Sequence, residues 1–255
     1  MRHRIAAAVG AVLIAATLAV AANPAGASTG AAERHEWMQS GAWGARPASA
    51  ELSLVHGVPG LPVDIYVVKN FWVVKTLKDV QFGTAADLNT VFPGFVTPGV
   101  YFVEIVPAGA KALPPLLSAW LWLAPGQSKS VVAYVTADAT GKPGAPTLGV
   151  FRNDVSATGG QSRVIVRHLA VAPTVGVYAA GTVAITPAFS NGDTATAVVP
   201  AATYPVTVTA PNAPGTVLYD VGTVPLAPDT ATLAFAIGTY PGTFTVVALA
   251  VPTVH

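Results

Sequence analysis

Leu54-Val55-His56-Gly57-Val58-Pro59-Gly60-Leu61-Pro62-Val63-Asp64-Ile65-Tyr66 has a counterpart later in the chain. That counterpart is Val166-Arg167-His168-Leu169-Ala170-Val171-Ala172-Pro173-Thr174-Val175-Gly176-Val177-Tyr178. The two stretches align without a gap. Each places a histidine third, passes through a proline-bearing turn and ends in Val-x-(Ile/Val)-Tyr. Apolar alternation on both sides of such a turn describes strand–turn–strand, because successive side chains of a strand face opposite sides. Further on, Leu123-Ala124-Pro125-Gly126 is answered by Leu226-Ala227-Pro228-Asp229, with a shorter connection in the second copy. A repeated opening followed by a repeated turn implies two copies of one module. We place the modules at 51–156 and 161–255, joined by Ser156-Ala157-Thr158-Gly159-Gly160.

The rest of the chain fits the same reading. Candidate strands fall at 52–56, 63–68, 79–83, 99–106, 116–123, 130–136 and 147–152. They are separated by Pro93-Gly94, Pro98-Gly99, Pro125-Gly126 and Pro143-Gly144. Such dipeptides set turn dihedrals and exclude helices. Charged residues make up 10% of the chain, and it holds 24 Gly and 22 Pro. A low-charge composition with many turn residues belongs to short strands. Two sheets must then bury their apolar faces on each other. The expected fold class is all-β: two tandem immunoglobulin-like antiparallel β-sandwich modules, of about seven strands each. The second copy carries few charged side chains to guard its sheet edges, so the modules are expected to pack together.

Met1-Arg2-His3-Arg4, the apolar run Ile5–Ala22 and the small residues Ala25-Gly26-Ala27 read as a signal peptide over 1–27. Residues 28–50, with Trp37 and Trp43, read as a linker or N-terminal arm. The expected location is therefore extracytoplasmic, either secreted or at the cell surface or envelope. No integral membrane segment is expected after signal cleavage. With Arg2 and Arg4 gone, basic and acidic residues nearly balance, so no nucleic-acid footprint is present. Cysteine is absent, so neither a disulfide nor a lipid-modified Cys contributes.

The window Val55–Tyr66 resembles the opening of the bacterial domain-of-unknown-function 4397 family, whose modules start with V-H-A-S-P-D-A-P-x-V-D-V-Y-V. His56, the turn prolines and Val63-Asp64-Ile65-Tyr66 carry the resemblance. Gly57, Val58, Gly60 and Leu61 depart from it. In the second copy His168, Pro173, Val175, Val177 and Tyr178 remain, and Gly176 stands where the acid would be. The resemblance implies exported or surface β-sandwich modules, often in tandem, with no assigned activity.

Candidate chemistry is sparse. His56 and His168 sit at equivalent strand ends. As catalytic groups they would need equivalent partners, and the second copy lacks the acid, so turn closure is expected of both. Asp64 beside His56 is half of a nucleophilic triad, but no G-x-S-x-G elbow supplies the other half. A hydrolase centred on His56 and Asp64 is thus the least supported reading. Tyr66 and Tyr178 close the same motif. No metal is expected: His35, His56, His168 and His255 are scattered, and Asp138, Asp154 and Asp193 stand singly. Gly141-Lys142-Pro143-Gly144 is not a phosphate loop, and no cofactor is expected. Trp120 and Trp122 alternate on one strand and share a face. Burial in a core or a module contact is the default for them. Exposed, they would form a binding face for an envelope glycan or a surface protein. The function expected is a non-catalytic structural, adhesive or binding role, with a carbohydrate-binding module as the alternative.

Overall fold

The computed structural model describes residues 50–92, 96–110, 114–181 and 183–253. The expected export leader lies outside them, as does the arm up to residue 49. Eight strands form the first half: β1 (Glu51–His56), β2 (Val63–Lys69), β3 (Trp72–Val80), β4 (Ala85–Asp87), β5 (Gly99–Pro107), β6 (Leu117–Leu123), β7 (Ser128–Ala137) and β8 (Pro143–Asn153). Eight more form the second half: β9 (Ser162–His168), β10 (Val175–Ala179), β11 (Val183–Phe189), β12 (Thr194–Val199), β13 (Ala202–Ala210), β14 (Ala213–Leu226), β15 (Thr230–Ile237) and β16 (Thr245–Pro252). One short helix, α1 (Leu88–Val91), is capped by Asp87, whose carboxylate accepts from the Asn89 N–H.

Each half is a pair of four-stranded sheets. The first has the orders β4-β1-β7-β8 and β3-β2-β5-β6; the second has β12-β9-β15-β16 and β11-β10-β13-β14. Strand for strand, the topology is duplicated. Pairing is antiparallel except for β1 with β7 and β9 with β15, which run parallel. Alternation on β5 explains the layering: Tyr101, Val103 and Ile105 are buried, while Val100, Phe102 and Glu104 face outward.

Only the end of β3 falls within the strand expected at 79–83, and residues 81–84 turn the chain toward β4. Two features hid β3. A register shift opposite Val67 and Val68 breaks its alternation, and Lys75 and Lys78 interrupt its apolar run.

Three apolar clusters lie between four stacked sheets. One fills the first sandwich, with Leu52, Ile65, Tyr101 and Leu123. Another lies inside the second sandwich, with Val164, Val177 and Val208. The third joins Val55, Val132 and Tyr134 to Ile165, Leu233, Phe235 and Ile237, so sheet β4-β1-β7-β8 packs face to face on sheet β12-β9-β15-β16. A polar seam crosses this contact. Arg167 is fully buried and donates through Nη2 to the Arg152 carbonyl at 3.0 Å and to Asn153 Oδ1 at 2.8 Å. Its guanidinium lies 5.1 Å from the Phe151 ring and 5.4 Å from the Phe235 ring. Burial pulls its pKa down to about 10, so it stays charged at neutral pH. Asn153 in turn donates to Ser128 Oγ at 2.9 Å and Ser130 Oγ at 3.0 Å.

Candidate binding face

Trp120 and Trp122 do not enter a core. They are 62% and 61% exposed on the outer sheet of the first sandwich. The expectation of burial fails for a geometric reason. Leu121 and Leu123 alternate with the tryptophans on β6 and take the inward positions. The sequence pattern shows that the two tryptophans share a face, but not which face meets the core.

Cross-strand register extends this pair into an apolar band. Val73, Val68, Phe102 and Trp120 form one row across β3, β2, β5 and β6, and Val100 stands opposite Trp122 in the next. Phe102 and Trp120 stack at 4.5 Å between ring centroids. The neighbouring row carries polar groups: Thr76, Tyr66, Glu104 and Ser118. Lys129 braces β6 by donating to the Trp122 carbonyl at 2.6 Å.

At the end of this sheet the β2–β3 hairpin turns through Asn70 and Phe71, whose φ angles are 51° and 66°. Phe71 is 92% exposed and Trp72 is 77% exposed. Two positive φ values match the hairpin twist, but the second position normally holds Gly. The corresponding turn of the second half, between β10 and β11, has Ala180 and Gly181 there, at 49° and 77°. A phenylalanine held in the left-handed region at a solvent-exposed tip costs backbone strain and exposes apolar area. The sequence marks Phe71 and Trp72 as part of the first module's aromatic load, but a hairpin at that point was not expected.

His56 and His168 repeat one another in structure as in sequence. His56 Nε2 donates to the Leu61 carbonyl at 2.7 Å, and His168 Nε2 to the Pro173 carbonyl at 3.1 Å. A carbonyl only accepts, so each Nε2 carries the hydrogen and each Nδ1 is the bare base. Both Nδ1 atoms are buried without a hydrogen-bond partner. Burial lowers the pKa of both rings, partly offset by these backbone bonds and, for His168, by Asp193. The Asp64 carboxylate accepts from the Asp79 N–H at 2.8 Å and the Gly109 N–H at 3.4 Å. Among the described residues no hydrogen bond joins His56 to Asp64, or either side chain to a Ser or Thr hydroxyl. No three His, Asp or Glu side chains of the described residues group as a metal site.

The family profile "Domain of unknown function (DUF4397)" matches residues 50–178. The chain belongs to the DUF4397 family. The DUF4397 match covers all of β1–β8 and runs on through the second strand–turn–strand to Tyr178. A search of curated proteins finds no match. Among solved structures, a candidate cell adhesion protein from Bacteroides ovatus ATCC 8483 aligns over 82% of this chain and 99% of its own, at 11% identity and a TM-score of 0.24. A second, from Bacteroides uniformis ATCC 8492, aligns over 81% and 100%, at 11% identity and a TM-score of 0.27. The Bacillus anthracis TIE protein aligns over 82% of this chain, at 8% identity and a TM-score of 0.23. This chain spans only 32% of that protein. Overlaps this loose carry no functional argument.

Two departures from the DUF4397 opening, Gly57 and Gly176, have a steric cause. A Cβ on Gly57 would sit 2.8 Å from Ile237 Cγ2 and 2.9 Å from the Ala133 carbonyl, so the contact between the sandwiches excludes alanine there. Gly176, in the place of Asp64, lets the ring of Tyr178 lie down. A Cβ at that position would meet Tyr178 Cε2 at 2.9 Å. Tyr178 is accordingly buried, while its counterpart Tyr66 stays half-buried on the aromatic face.

Proposed function

We propose that this protein is an exported, non-catalytic binding or adhesive protein of the cell envelope, built from modules at 51–156 and 161–255. The aromatic face of sheet β3-β2-β5-β6 is its contact surface. The observation that carries the reading is the pair Trp120 and Trp122, held in solvent with Phe102 stacked beneath one of them. Large apolar rings cost solvation when exposed, and on a rigid sheet they pay that back only against a partner. The histidines and Asp64 support a bracing role, since each is committed to backbone groups.

The exposed tryptophans favour the carbohydrate reading within this role. Sugar rings stack on flat aromatic faces, and the adjoining Thr76, Tyr66, Glu104 and Ser118 offer hydroxyl and carboxylate partners. Export is supported by the order of Met1–Ala27, and no helix among the described residues is long and apolar enough to cross a membrane.

The test is titration of the purified protein with cell-wall polysaccharide, read by tryptophan fluorescence and calorimetry. Trp120→Ala and Trp122→Ala should each weaken binding about threefold to tenfold and leave the melting temperature unchanged. Unaltered affinity in both variants would remove this face from the function.

A further inference from the structure

The second sandwich is a hollowed copy of the first. Its interior holds a cavity of about 310 Å3, lined by apolar side chains, with Thr232 and Tyr204 the only hydroxyl-bearing residues and no charged group. Registers place its lining against the filled core of the first sandwich. Leu52 and Leu54 of β1 correspond to Val164 and Val166 of β9. Val67 corresponds to Ala179, Ile105 to Val208, Val131 to Ala234 and Val150 to Ala248. At each of these positions the second copy has lost one or two carbons, and Phe189, which stands where the first copy has Val80, restores only part of that volume.

A plug has also gone. In the first sandwich β4 is followed by α1 and a loop, from which Leu88 and Val96 are buried in the core and Phe92 packs against it. In the second, β12 reaches β13 through Pro200 and Ala201 alone. Val199, Pro200 and Tyr204 line the cavity at that edge. The tyrosine hydroxyl donates to the Pro200 carbonyl at 3.0 Å, as the equivalent Tyr101 does to Thr97 at 2.6 Å. The edge closed by α1 in one copy is left to Val199, Pro200 and Tyr204 in the other.

We propose that the second sandwich binds a linear hydrocarbon chain, the acyl tail of a fatty acid or lipid, in this cavity. Three features select that ligand. An apolar cavity gains nothing from water and takes up apolar guests. With roughly 30 Å3 for each water-sized group, the space holds on the order of ten methylenes. The lining offers no cation for a carboxylate, so the headgroup stays outside, in solvent.

Laurate and a lauroyl lysophospholipid serve as probes, each titrated into the purified protein by calorimetry and native mass spectrometry. One-to-one binding of laurate alone assigns a free fatty acid; binding of both assigns a lipid tail. The variant Ala179→Val/Ala234→Val/Ala248→Val restores the first copy's residues. It should bind at least tenfold more weakly and melt higher without ligand. Ala248→Val alone gives the same signs more weakly, should the triple variant misfold. Trp120→Ala should bind laurate normally, which separates this site from the aromatic face. Absence of binding by both probes, or unchanged binding by a folded triple variant, overturns the proposal.

Discussion

Acidification should destabilise this protein well above the carboxylate range, and the two histidines set the size of the effect. In each ring Nε2–H is committed to a carbonyl, so an added proton must go onto Nδ1, which is buried and unpartnered. Burial lowers both folded-state pKa values below the ordinary 6.5. The unfolded chain therefore takes up protons first as pH falls. Stability conferred by the neutral rings is complete above 6.5 and is lost as pH falls from there toward the folded values. Each proton is worth about 1.4 kcal/mol per pH unit in that window. If neither folded ring protonates, the pair loses about 2.5 kcal/mol between pH 7.0 and 5.5.

Glu51 works in the opposite direction. Burial raises its pKa, helped by Asp87 and opposed by a Ser128 hydrogen bond, so it favours the folded state on acidification. Glu51→Gln removes that contribution. Asp138 and Asp154 have lowered pKa values, chiefly through the hydroxyls of Thr140 and Ser156, and destabilise only as pH falls below 3.8. The assay is guanidinium denaturation at pH 7.0 and 5.5, in the wild type and in the Glu51→Gln background. In the His56→Asn/His168→Asn variant overall stability should be lower, because two packed rings are lost, but the pH dependence should be nearly flat. A loss below about 0.5 kcal/mol in the Glu51→Gln background, or a double variant that keeps the full slope, would refute this account of the histidines.

Phe71→Gly should stabilise the protein by about 1 kcal/mol, since glycine relieves the left-handed strain; a decrease in denaturation midpoint would show that the ring packs. If the tip belongs to the contact face, the same variant should bind polysaccharide less well despite being more stable. Arg167→Ala should cost about 3–5 kcal/mol in chemical denaturation, by removing the bridge between Asn153 and the rings of Phe151 and Phe235. Arg167→Met should cost far less, because it keeps the volume and relieves the burial of a charge. Equal damage from the two substitutions would mean that the charge itself holds the sandwiches together.

Much of this architecture was legible in the sequence. His56 and His168 at matching positions, with the Leu123 and Leu226 turns downstream, state the duplication, because a module that folds the same way keeps its turn and strand-end residues. Proline, glycine and period-two alternation state the strands, because both act locally. Side-chain placement relative to the rest of the molecule is not local. Trp120 and Trp122 were legible as a pair on one side of β6, yet only packing decided that Leu121 and Leu123 would take the core. Phe71 was legible only as an aromatic residue, because a register shift hid the hairpin it caps. The cavity was invisible: Val164, Ala234 and Ala248 satisfy the same apolar pattern as Leu52, Val131 and Val150. Pattern records whether a position is apolar, whereas volume summed across two facing sheets decides whether the space between them is filled.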